Sequence, residues 1–121
     1  MLNRCRVLVV EDEMLVAADL AAAVWEADGE VIGPVSTVDE ALLILTYAAV
    51  DAAILDVHLA DRDIAPVARV LLAGGKPVLF HSASDIPLEI ASRFAGVSTC
   101  PKPADASRVV RVLAGLIDTS E

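Results

Sequence analysis

Val7-Leu8-Val9-Val10-Glu11-Asp12 and Ala52-Ala53-Ile54-Leu55-Asp56 share one pattern, a short apolar run closed by acid. Such runs, bounded by polar residues, read as buried strands of a parallel sheet. Ligands of these sheets bind in the crevice at the carboxyl ends of the strands. Where the two strands are neighbours, Glu11, Asp12 and Asp56 crowd one crevice. Like charges at close range repel and shift one another's pKa. A divalent cation relieves that repulsion, and an all-oxygen cluster suits Mg²⁺, Mn²⁺ or Ca²⁺.

Outward from these runs the punctuation alternates strand and helix. A strand over 6–10 is followed by a helix over 13–27, with Val16, Leu20, Ala23, Val24 and Ala27 on one stripe and Asp28-Gly29 as its stop. A second strand covers 30–35, where Gly33-Pro34 suits an edge position. Thr37 with Glu40 forms a capping-box signal, and Ala41, Leu45 and Ala48 face inward on the helix that follows. The third strand covers 52–57. The third helix covers 64–73, with Pro66 tolerated in its first turn and Gly74-Gly75 at its end. Strands over 77–82 and 97–100 flank a weaker helix over 88–94. A last helix over 105–117 turns Val109, Leu113, Leu116 and Ile117 inward, and 118–121 reads as a frayed tail. Strands alternating with helices imply a doubly wound α/β fold, a parallel sheet with helices on both faces.

The chain has 121 residues, one domain's length, and 56% of them are hydrophobic, enough for a real core. Aromatics make up 3%, so that core is aliphatic. No apolar stretch reaches the roughly 18 residues that span a bilayer, and 1–4 lacks the apolar segment of a secretory signal. A cytoplasmic address is the expectation. The net charge of −9 argues against binding nucleic acid or an anionic membrane surface. The two cysteines, Cys5 and Cys100, fall at opposite ends of a parallel sheet and read as reduced thiols.

Further candidates follow the other strands. His58 offers a side chain, but its backbone carbonyl better suits a hard cation. Ser82 and Ser84 end the fourth strand, where a hydroxyl can bond a phosphoryl oxygen or simply cap a loop. His81 alternates with Ser82, points away from it, and reads as packing or surface. Lys102 lies between Pro101 and Pro103, which fix where it points; it brings one positive charge to an acidic crevice. A cis Lys102-Pro103 bond turns it inward, and Pro101 requires the fifth strand to be an edge. Acids, a hydroxyl and a lysine on four strand ends suit phosphoryl transfer to a carboxylate, since Asp can form an aspartyl-phosphate. Mg²⁺ and lysine neutralise the charge on the moving group.

In this order, the stretches 7–13, 52–59, 77–83 and Lys102-Pro103 resemble the receiver domain of two-component response regulators, of the stand-alone type. The resemblance covers 7 to about 117. It implies a flavodoxin-like sheet of order 2-1-3-4-5, Asp56 as phosphoacceptor, and Asp12 as the direct metal-binding acid. It gives Glu11 a role through metal-bound water, His58 a ligating backbone carbonyl, Ser82 the switch hydroxyl and Lys102 the lysine before a cis proline. It implies Mg²⁺, a histidine kinase or histidine phosphotransfer protein as donor, and a downstream protein partner. Two departures stand out. Thr99 occupies a position where the family often has a switch aromatic. Helix four, opened by Ile86-Pro87, is short on the surface that often carries a homodimer or partner contact.

The leading expectation for 1–121 is therefore a phosphorylation-dependent signalling switch, a regulator rather than a metabolic enzyme. A receiver-fold scaffold that binds a partner without phosphorylation is the alternative. A phosphatase with an Asp nucleophile is disfavoured, because His58 stands where such enzymes carry a second Asp as general acid.

Overall fold

The computed structural model describes residues 1–59, 61–83 and 86–120; Ser84, read above as a possible hydroxyl donor, lies outside them. Five strands alternate with five helices: β1 (Arg6–Val10), α1 (Met14–Glu26), β2 (Glu30–Val35), α2 (Val38–Tyr47), β3 (Ala52–Leu55), α3 (Ala65–Ala73), β4 (Val78–Ser82), α4 (Leu88–Arg93), β5 (Ser98–Pro101) and α5 (Ala106–Ser120). All strand pairs are parallel and the sheet order is β2-β1-β3-β4-β5. β1 and β3 are therefore neighbours, and β2 and β5 are the edges that hold Pro34 and Pro101.

Strand alternation divides the core into two layers. Leu8, Val10, Ala53, Leu55, Val78 and Phe80 face one way, against α2, α3 and α4. Val7, Val9, Ala52, Ile54, Leu79 and Cys100 face the other way, against α1 and α5. Every residue of β3 is buried, which is why its run is continuously apolar rather than alternating.

α1 ends where Asp28 adopts a positive φ of 67° and Gly29 follows. A Cβ on Gly29 would lie 2.7 Å from a Leu2 methyl and 2.8 Å from a Val24 methyl, so any side chain there would have to displace both. Thr37 caps α2 by accepting from the Glu40 amide at 3.1 Å. The reciprocal half of the capping box is altered: the Thr37 hydroxyl donates to Glu40 Oε1 at 3.0 Å.

Several expectations shift. On α2 the buried positions are Val38, Ala41 and Ile44, while Leu45 and Ala48 are half-buried and pack against the same core. On α5 Val110 and Ala114 join Val109, Leu113 and Ile117, while Leu116 sits at the margin. The stretch read as a frayed tail is helical through Ser120. His81 is buried, 2% exposed, not at the surface. β3 stops at Leu55, two residues short of its expected end. The reading of Cys5 and Cys100 does not shift: no disulfide joins them. None of the described helices is long and apolar enough to cross a membrane.

Candidate functional site

The β1–β3 register pairs Val7 with Ala52 and Val10 with Leu55. Continued by one residue, it sets Glu11 beside Asp56, and the Asp56 amide donates to the Val10 carbonyl at 2.9 Å. The carboxyl ends of adjacent strands thus deliver both acids to one crevice. Glu11, Asp12 and Asp56 each bring an oxygen within 4.8 Å of the others. Glu11 and Asp56 are buried and Asp12 is exposed at the rim.

Lys102 enters from the far edge. Its amide donates to the Ser82 carbonyl at 2.9 Å, tying the end of β5 to the end of β4. The Lys102-Pro103 bond is cis. Nζ lies 2.7 Å from Glu11 Oε1, 3.5 Å from Asp56 Oδ2 and 3.8 Å from Glu13 Oε1. The shortest contact is a nearly buried ion pair, and the Lys102 ammonium is the partner that meets Glu11 Oε1. Glu13 was not singled out in the sequence. Its proximity to the lysine was readable only in its two-residue spacing from Glu11.

Charge and burial oppose each other here. Burial raises the Glu11 pKa, against the lowering pull of Lys102 and the Glu13 amide; Asp56 adds to the rise. Burial likewise raises Asp56, against Glu11, Lys102 and the His58 amide. Burial alone would lower Lys102, but Glu11, Asp56 and Glu13 outweigh it and raise its pKa. One ammonium among several carboxylates therefore leaves an excess of buried acid that is costly to ionise.

The other predicted residues fall around this centre. Ser82 is buried at the end of β4. The His58 side chain is exposed, and its amide donates to Asp56 Oδ1 at 3.2 Å, which orients the carboxylate. Thr99 is exposed on β5.

The segment after Asp56 is also held in place. His58 and Asp63 form an isolated bridge, and Asp63 accepts from the Ala65 amide at 3.0 Å, at the start of α3. Asp61 accepts from the Val38 amide at 3.1 and 3.2 Å and from the Asp39 amide at 3.4 Å. Arg62 pairs with Asp39 at 2.6 Å. These contacts join the loop beyond Asp56 to the start of α2. They span more than twenty residues, and no local motif announces them.

The donor set fits a hard divalent cation. Its groups are all oxygens, two of the three acids are buried, and one ammonium does not balance them. Mg²⁺ holds ligands at about 2.1 Å, so side-chain rotation or bridging water completes such a set.

No protein-family model matches the chain, and no curated protein matches it significantly. Solved structures do. A response regulator receiver protein from Sinorhizobium medicae is 23% identical, with all of both chains covered and a TM-score of 0.82. A CheY-like response regulator receiver domain protein from Methanospirillum hungatei is 18% identical, with 96% of this chain and 95% of that one covered and a TM-score of 0.83. The receiver domain of the hybrid histidine kinase CckA is 26% identical, with 93% of this chain and 98% of that one covered and a TM-score of 0.73. The chain has the fold of response-regulator receiver domains. The proteins it resembles are signalling domains rather than metabolic enzymes.

Proposed function

We propose that this domain is a phosphorylation-dependent signalling switch in which Asp56 accepts a phosphoryl group from a histidine kinase or histidine phosphotransfer protein. The observation that carries the reading is convergence: Glu11, Asp12 and Asp56 lie within one cation's reach, with Lys102 Nζ 3.5 Å from Asp56. A kinase-borne receiver domain among the similar structures supports a histidine kinase as the donor class.

In the transfer, an Asp56 carboxylate oxygen forms a bond to phosphorus. The phosphorus–nitrogen bond of the donor's phosphohistidine breaks, and the imidazole keeps the electron pair and takes up a proton. Glu11, Asp12, Asp56 and the His58 carbonyl would hold Mg²⁺, which supplies charge neutralisation on the phosphoryl oxygens when bound. The His58 amide holds one Asp56 oxygen and leaves the other toward Lys102. Lys102 exchanges carboxylate for phosphoryl oxygen, and the Ser82 hydroxyl takes another phosphoryl oxygen. Because the Lys102 amide is bonded to the Ser82 carbonyl, the two loops move together. A cytoplasmic setting, where such donors and Mg²⁺ are available, goes with this reading.

Labelling with acetyl phosphate, or with beryllofluoride in Mg²⁺, tests it. Wild type should be labelled and Asp56→Asn should not. Undiminished labelling of the variant would refute Asp56 as acceptor. A second reading, a scaffold that binds its partner without phosphorylation, draws on exposed Thr99 in place of a switch aromatic. Equal partner affinity with and without beryllofluoride would favour it.

A further inference from the structure

His81 has no part in the chemistry above, yet its surroundings are unusual. It is 2% exposed, and both ring nitrogens are buried without a hydrogen-bond partner among the described residues. Leaving buried polar atoms unpaired is costly. Strand alternation turns the ring to the α1–α5 side, opposite Ser82, at the position that pairs with Cys100. There it borders a cleft of about 360 Å³ between the start of α1 and the loop from β5 to α5. Glu13 and Val16 form one wall, Lys102, Pro103 and Ala104 the other, and Ala83 lies alongside the ring.

A single water does not account for this cleft. One water occupies about 30 Å³ of liquid, and the remaining space is walled by Val16, Ala83, Pro103 and Ala104. A space of several hundred Å³ with apolar walls and a few convergent polar groups is the usual form of a small-molecule site. Charge selects the ligand. Burial, with Lys102 nearby, lowers the His81 pKa and so keeps the ring neutral, against Glu11 and Glu13. Glu13 and Lys102 line the cleft with opposite charges 3.8 Å apart, so a neutral molecule fits it without competing for either partner of that pair. A neutral imidazole has one donor nitrogen and one acceptor. A carboxamide has both functions, and it satisfies whichever nitrogen turns toward it.

We propose that the cleft beside His81 binds a small neutral molecule with a short apolar body and a carboxamide, received by a ring nitrogen when the imidazole rotates toward the cleft. The bound molecule lies against Lys102, which gives it access to the phosphorylation site. Binding itself does not require phosphorylation, so failure here would leave the role of Asp56 intact.

Three probes of one shape separate the chemistry: isobutyramide, isobutyrate and isobutylamine. Each is titrated into the full chain, with the ring nitrogens of His81 read by long-range proton–nitrogen NMR. Isobutyramide should shift the His81 nitrogens saturably and bind at least about tenfold more tightly than either charged probe. His81→Phe keeps the ring shape without nitrogens and should abolish the preference. Ala104→Leu fills the cleft from a loop, leaves His81 in place, and should abolish saturation. Equal binding of the three probes, or no saturable shift with isobutyramide, would overturn the site. So would an unchanged preference in a folded His81→Phe protein.

Discussion

Lys102 is the counter-charge on which the crevice depends. Its ammonium contacts Glu11, Asp56 and Glu13 while its side chain is 10% exposed. Replacing it by Ala leaves the carboxylates to repel one another, so a divalent cation gains. At an effective dielectric of about 20, removing a charge this close is worth roughly 1–3 kcal/mol after screening. Lys102→Ala should therefore bind Mg²⁺ about tenfold more tightly by calorimetry, yet lose the amide shifts that beryllofluoride induces. Protons compete for the same oxygens. Because burial raises Glu11 and Asp56, both hold protons above the ordinary carboxylate range. Mg²⁺ affinity should thus keep rising with pH beyond the point where exposed carboxylates are fully ionised. The same shift has a stability consequence of defined sign. A raised acid favours the folded state at pH values below its unfolded pKa. That benefit is lost as pH rises through the folded pKa. Urea midpoints without divalent cation should accordingly fall across that window, and saturating Mg²⁺ should reverse the fall.

At the scale of elements, the start of α2 is where two parts of the chain meet. Thr37 caps it locally, and Asp61 caps it from the loop beyond Asp56. Thr37→Ala should cost about 1 kcal/mol, the usual loss of a cap, read from urea unfolding. Asp61 behaves oppositely to the buried acids. Any burial raises its pKa, but the amides of Val38 and Asp39 outweigh this and lower it. Its contribution is present above the ordinary Asp pKa and is lost as pH falls through the lowered value. Asp61→Asn should therefore flatten the acid limb of the stability curve while leaving neutral Mg²⁺ binding unchanged. An unaltered acid limb would remove Asp61 from this role. The elements themselves were legible wherever periodicity was strong. Buried β3 and β1 stood out because each is a short apolar run closed by polar residues, too short for a helix of ordinary length. On α2, Ala41 is buried and Leu45 and Ala48 pack against the core as expected, but Val38 and Ile44 are the more deeply buried positions, which depends on how the helix lies on the sheet.

For the molecule as a whole, two apolar layers hold the sheet between them, and Leu79 and Leu113 are fully buried in one of them. Leu79→Ala should cost about 2–5 kcal/mol, a large share of the roughly 5–15 kcal/mol that a domain possesses. Chemical denaturation should register it as a lower midpoint with an unchanged slope. The net charge of −9 acts against compactness by self-repulsion. The sequence alone determined the alternation of strand and helix, the acids at the ends of two strands, and the lysine held between prolines, because these are local and periodic properties of the chain. The resemblance implied the strand order, whereas the distances within the crevice, the loop joined to α2 and a buried His81 without a partner among the described residues were decided only by tertiary structure. Each depends on which residues distant in sequence become neighbours, and hydrophobic burial across the whole sheet selects those neighbours.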